Sequence, residues 1–88
     1  MEAPPMRRYD VRVSVGEDGP VLIQYGEAFT LNALGLEIWK RCDGKTSVAD
    51  ISAAIAQIYA ADSELIQADA EEFIGTLRTR GLVTPAPN

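Results

Sequence analysis

The chain has 88 residues, 47% of them hydrophobic and 24% charged, with 8 basic and 13 acidic side chains and a formal charge of -5. That length holds one domain with one small core, and the composition is that of a globular chain, not a disordered one. The acidic balance argues against a general nucleic-acid binder, the single cysteine excludes an internal disulfide, and without histidine no metal-ligand set remains.

Residues 1–8, with Pro4-Pro5 and Arg7-Arg8, read as a flexible tail. They contain no apolar signal-peptide region, and no later run approaches the length of a membrane span. The cytoplasm is the expected compartment. Tyr9, Val11, Val13 and Val15 then alternate with Asp10, Arg12 and Ser14, the period of a strand with one buried face. Gly16-Glu17-Asp18-Gly19-Pro20 is a dense turn signal, and Val21 to Tyr25 reads as the returning strand. After a turn at Gly26-Glu27, a short third strand from Ala28 to Leu31 runs into a helix cap. Connections this tight predict an antiparallel meander with the third strand at an edge. Alternation then points Phe29 and Leu31 into the core and Ala28 and Thr30 outward.

Three helices follow. Asn32 is a good N-cap for the first and Gly44 a good C′ residue. Leu34, Ile38, Trp39 and Cys42 share one arc, Glu37 can pair with Arg41, and Gly35 leaves room for another backbone. Ser47 and Asp50 fit a capping box for a second helix from Val48 to Ala60, with Val48, Ile51, Ile55, Ile58 and Tyr59 on one face. Asp62 or Ser63 caps a third helix from Glu64 to Arg80, whose buried arc is Ile66, Ala70, Phe73, Ile74 and Leu77. Acids crowd its first half (Glu64, Asp69, Glu71, Glu72) and Arg78 and Arg80 its end, which suits the helix dipole. Gly81 stops it, Leu82-Val83 fold back onto the core, and residues 84–88 form a second flexible tail. The whole is an α+β domain over residues 9–83, a three-stranded antiparallel sheet followed by three helices.

Candidate reactive groups reduce to structural ones. Cys42 lies on an apolar arc with no second thiol, Trp39 at the edge of that arc, and Asp43 beside Gly44 in a helix-ending turn. With no phosphate-binding glycine loop and no nucleophile beside a base, the sequence does not read as an enzyme, and no cofactor is expected. Asp69, Glu71 and Glu72 read as a solvated helix face. Asp69 alone lies beside Phe73 on the flank nearest the apolar arc, a flank that also carries Leu65, Thr76 and Arg80.

From Tyr9 to Val83 the chain resembles the PqqD-like family, small peptide chaperones also called recognition elements of ribosomally made, post-translationally modified peptides (RiPPs). The resemblance rests on Leu31-Asn32, Glu37-Ile38-Trp39, Arg41-Cys42-Asp43-Gly44, Val48, Ile51, Tyr59 and the closing Leu77-Arg78-x-Arg80-Gly81-Leu82-Val83. It implies a winged-helix-like domain and a non-catalytic adaptor. Such an adaptor binds the leader segment of a precursor peptide and presents it to a modifying enzyme on a separate chain, of radical-SAM type or a lasso-peptide leader peptidase. The leader would add as a strand to the edge of the third strand, where main-chain bonds supply affinity and side-chain pockets selectivity. On this chain the implied site is Glu27, Ala28, Phe29, Thr30 and Leu31 with Leu65, Asp69, Phe73, Thr76 and Arg80. The alternative is a winged-helix transcription regulator, against which the acidic first half of the third helix stands.

Overall fold

The computed structural model describes residues 3–85. In chain order its elements are β1 (Pro5–Arg7), β2 (Arg12–Gly16), β3 (Gly19–Gln24), β4 (Glu27–Thr30), α1 (Ala33–Lys40), α2 (Val48–Tyr59), α3 (Ser63–Thr79) and β5 (Val83–Pro85). Strands β2, β3 and β4 form the expected antiparallel meander in that order. Tyr25 and Gly26 join β3 to β4, both with positive φ (53° and 79°), as a two-residue primed turn requires.

The tail expected over residues 1–8 is instead structured from Pro5 on; Met1, Glu2 and residues 86–88 lie outside the described residues. Strand β1 pairs antiparallel with β5, which also takes Thr84 and Pro85 out of the expected C-terminal tail. Pro5 is buried, and its carbonyl accepts from Gly44 N at 2.8 Å, while Arg7 N donates to Cys42 O at 2.9 Å. The Arg7 guanidinium donates to the Trp39 and Lys40 carbonyls at the C-terminal end of α1, the negative end of the helix dipole. These bonds link residues more than thirty positions apart, so nothing in the local pattern announces them. A three-residue edge strand also tolerates proline.

The first predicted strand is corrected as well. Tyr9 and Asp10 form a turn, and only Val11 of the alternating set packs against the core. Tyr9, Val13 and Val15 are 97%, 46% and 87% exposed. The alternation is real, but β2 is the outer strand of a hairpin that none of the described helices covers. The turn before it is held by the Arg8–Asp10 ion pair at 3.1 Å and by Tyr25 Oη donating to Asp10 at 2.7 Å. The Arg8 hydrogen bond, with that from Tyr25, keeps the Asp10 carboxyl below the usual carboxylate range.

Helix α1 starts where expected, with Asn32 Oδ1 accepting from Gly35 N at 2.7 Å, and Glu37 pairs with Arg41 at 2.8 Å. It ends earlier than Gly44, at a C-cap on Arg41. Gly44 (φ +79°) instead closes the next turn, where a Cβ would meet the Met6 side chain at 3.1–3.3 Å. Asp43 holds that turn by accepting from Lys45 N and Thr46 N, both at 2.8 Å, and these bonds lower its carboxyl. In α2 the buried arc runs through Ile51, Ser52, Ile55 and Ala56. Its centre is displaced toward the small residues, so Ile58 falls on its flank and Tyr59 at its end, 57% and 46% exposed. Helix α3 begins at Asp62, which accepts from Glu64 N, and ends in a Schellman motif. In that motif Gly81 (φ +74°) donates to Arg78 O and Leu82 N to Leu77 O at 2.8 Å.

The core joins Leu22 and Leu31 of the meander, Ile38, Trp39 and Cys42 of the first helical segment, Ile51 and Ile55 of α2, Ile66, Ala70, Ile74 and Leu77 of α3, and Leu82 and Val83. It places β4 beside α3 with one edge of the strand unpaired.

Candidate functional site

The free edge of β4 has a defined phase. Leu31 N donates to Pro20 O at 2.8 Å, and the register pairs Phe29 with Leu22 and Glu27 with Gln24. In an antiparallel ladder the inward-bonded residues alternate, so Glu27, Phe29 and Leu31 turn their backbone groups toward β3. The N–H and C=O groups of Ala28 and Thr30 therefore point away from the sheet, toward open space. Their side chains are exposed, that of Phe29 is half-buried, and that of Leu31 is buried.

Beside this edge runs a groove whose far wall is α3. The Phe29 and Phe73 rings meet across it at 6.3 Å between centroids, tilted by 51°. The Arg80 guanidinium lies over the Phe29 ring, 4.9 Å from its centroid, at cation–π distance. Phe29 divides the groove into two hollows. One, of about 290 Å³, is bounded by Phe29, Thr30, Asp69 and Phe73 and floored by Asn32, Leu34, Gly35 and Ile38 of the α1 entrance. The other, of about 40 Å³, is bounded by Glu27, Ala28, Phe29 and Arg80, with Leu22, Gln24 and Leu82 beneath.

Seven of the residues singled out in the sequence thus come together around the two hollows: Glu27, Ala28, Phe29, Thr30, Asp69, Phe73 and Arg80. Three lie outside their lining. Leu31 is 2% exposed and belongs to the core, so it bears on the edge only by terminating the β3–β4 ladder. Leu65 is 68% exposed one turn beyond Asp69, and Thr76 spends its hydroxyl on Glu72 O at 3.2 Å. Sequence reasoning missed the α1 contribution. The signal was Gly35, an expensive residue in a helix interior. It admits not a backbone but the Phe73 ring, whose Cζ would stand 3.0 Å from an added Cβ.

Cys42 and Trp39 are core residues. The Cys42 thiol donates to Ile38 O at 3.2 Å, and burial pushes its pKa up to about 11. Among the described residues no cluster of histidine, cysteine or acidic side chains could hold a metal ion, and no described helix is long and apolar enough to cross a membrane.

A meander whose edge strand opens onto a groove walled by the last of three helices defines an α+β domain with an open strand edge beside a groove. The chain belongs to the PqqD family: the family model described as coenzyme PQQ synthesis protein D matches residues 8–83. No curated protein sequence matches the chain. Among solved structures it is similar to the PqqD truncation of Methylobacterium extorquens PqqCD, a functional, stand-alone RiPP recognition element solved by NMR. The TM-score is 0.78 at 26% identity, over 91% of this chain and 87% of that one. Lasso peptide synthetase B1, solved with the leader peptide, has a TM-score of 0.78 at 24% identity over 94% of this chain and 100% of that one, a likeness of fold. TbiB1 in complex with the TbiA(beta) leader peptide has a TM-score of 0.75 at 25% identity, over 94% and 99% of the two chains.

Proposed function

We propose that this protein is a recognition adaptor, without catalysis of its own, for the leader segment of a ribosomally made precursor peptide. The leader lies along β4 as a fourth strand of the meander and is handed, while bound, to a modifying enzyme of radical-SAM type or to a lasso-peptide leader peptidase. The cytoplasm, where ribosomal precursors are made, is the compartment this role requires.

The observation that carries the reading is the free edge at Ala28 and Thr30 beside an apolar groove. A docked strand gains ladder hydrogen bonds there, each worth about 0.5–1.5 kcal/mol net. Its alternate side chains face the two hollows around Phe29, which is how strand addition acquires selectivity. Membership of the PqqD family supports the same reading, as does the leader-peptide complex of TbiB1. The groups assembled at the groove are suited to holding a chain and not to moving protons or electrons.

The test is NMR shift mapping of the full chain titrated with the leader half of a precursor peptide encoded beside its gene. The expected perturbations fall on residues 27–31 and on the flank of α3 from Asp69 to Arg80. Shifts clustered on β2 and α2, with β4 and α3 silent, would remove the edge-strand site.

A further inference from the structure

The larger hollow is mainly apolar, with the neutral Thr30 and Asn32 beside it and a single charged group in its lining. Phe29, Leu34, Ile38 and Phe73 surround the larger hollow, and the Asp69 carboxylate stands at its mouth on the α3 side. The ion pairs among the described residues use Asp10 and Glu37 as their acids, so Asp69 has no basic partner among those residues. The nearest basic residue on the groove side of α3, Arg80, is committed to the Phe29 ring. An exposed acid with two aromatic rings beneath it defines one kind of occupant. A purely apolar side chain would fill the hollow but lay the docked strand over a carboxylate left without a partner, at a desolvation cost. An acidic side chain would be repelled.

Resting on the leader-strand reading above, we infer that the larger hollow takes a long basic side chain, lysine or arginine, from the docked peptide. Its aliphatic stem lies along Phe29 and Phe73, and its cation reaches the Asp69 carboxylate at the rim. A stem buried with the charge held at the water boundary is the usual packing of these side chains. Arginine or lysine also gains from aromatic faces, as Arg80 does on the other side of Phe29. Asp69 is thereby the residue that sets specificity, choosing which residue of the leader sits at the α1 end of the groove and so fixing the register of the added strand.

The experiment selects a displayed library of random linear peptides on the immobilised full chain, in parallel with Asp69→Asn and Asp69→Lys. Circular dichroism verifies that each variant is folded. The wild-type protein should enrich peptides with lysine or arginine at one fixed position among apolar residues. Asp69→Asn should weaken those peptides by about two- to fivefold, the range of an exposed ion pair. Asp69→Lys should enrich an acidic residue at the same position. Enriched peptides with no basic preference, or a set unchanged by Asp69→Lys, would overturn the specificity assignment while leaving strand docking intact. No enrichment by the wild-type protein would overturn both.

Discussion

Gly35 and Cys42 lie on the same side of one helical segment, and each holds its place for a steric reason. At Gly35 an added methyl would stand 3.0 Å from Phe73 Cζ and 3.1 Å from Asn32 Oδ1, so the glycine lets the groove wall and the N-cap occupy one small volume. Cys42 fills a site with no exposed surface and turns its thiol toward the Ile38 carbonyl. Burial disfavours the thiolate, which raises the pKa from 9.0 to about 11. The folded state therefore holds this proton more tightly than the unfolded chain. Its contribution to stability is complete below pH 9 and is lost as the pH rises through 9 to 11, up to roughly 2–3 kcal/mol. Tyr25, whose hydroxyl donates to Asp10, is shifted in the same direction and adds to the alkaline loss. Denaturant midpoints measured from pH 8 to 11 should fall across that window. At pH 8 an alkylating reagent should modify Cys42 no faster than the protein unfolds.

At the scale of elements, the meander has two free edges of opposite character. On β4 the outward backbone groups belong to Ala28 and Thr30 and face a groove. On β2 the same register turns Val13 and Val15 outward, where no helix stands beside them. Proline removes a backbone donor wherever it is placed, so it separates the two edges cleanly. Thr30→Pro should weaken leader binding about two- to tenfold, the loss of one ladder bond. Val13→Pro, which removes an equivalent outward donor from β2, should leave binding unchanged. Isothermal titration of both variants with the leader, with circular dichroism as the check on folding, reads the difference. Equal losses would place the leader elsewhere on the sheet.

The elements that could be read from the sequence were those with local causes. Asn32, Ser47, Asp62 and Gly81 cap helices because their own side chains or backbone satisfy nearby orphan groups, and each acts where it was expected to. Strand alternation turned Phe29 inward and helical spacing put Asp69 beside Phe73 on one flank of α3, while only the family resemblance set that strand and that flank face to face. What stayed hidden depends on partners distant in sequence. Strand β1 exists because of β5 and of the carbonyls that end α1, and the exposure of β2 follows from the absence of a covering helix. The floor of the larger hollow was hidden for the same reason. Leu34 and Ile38 carry the signature of core residues, and only the approach of Phe73 over Gly35 leaves a hollow above them.

On the scale of the whole molecule, charge weighs against the DNA-binding alternative that the winged-helix-like reading of the sequence raised. A helix that enters a groove of DNA must bring cations to phosphates, and each neutralised phosphate contributes through counterion release. Helix α3 exposes Glu64, Asp69, Glu71 and Glu72 along its first half, against Arg78 and, at its C-cap, Arg80. The chain as a whole carries -5. Arg7, Arg8 and Arg41 are not free to compensate: they are engaged with the α1 carbonyls, Asp10 and Glu37 respectively. Duplex DNA would therefore meet a repulsive surface where the topology would place it, and salt at about 0.15 M would screen what local attraction remains beyond roughly 8 Å. No retention is expected in a fluorescence-anisotropy titration with mixed-sequence duplex at that salt, and lowering the salt should not produce sequence preference. Sequence-dependent binding in the nanomolar range would instead assign α3 to DNA and take the β4 groove out of the functional account.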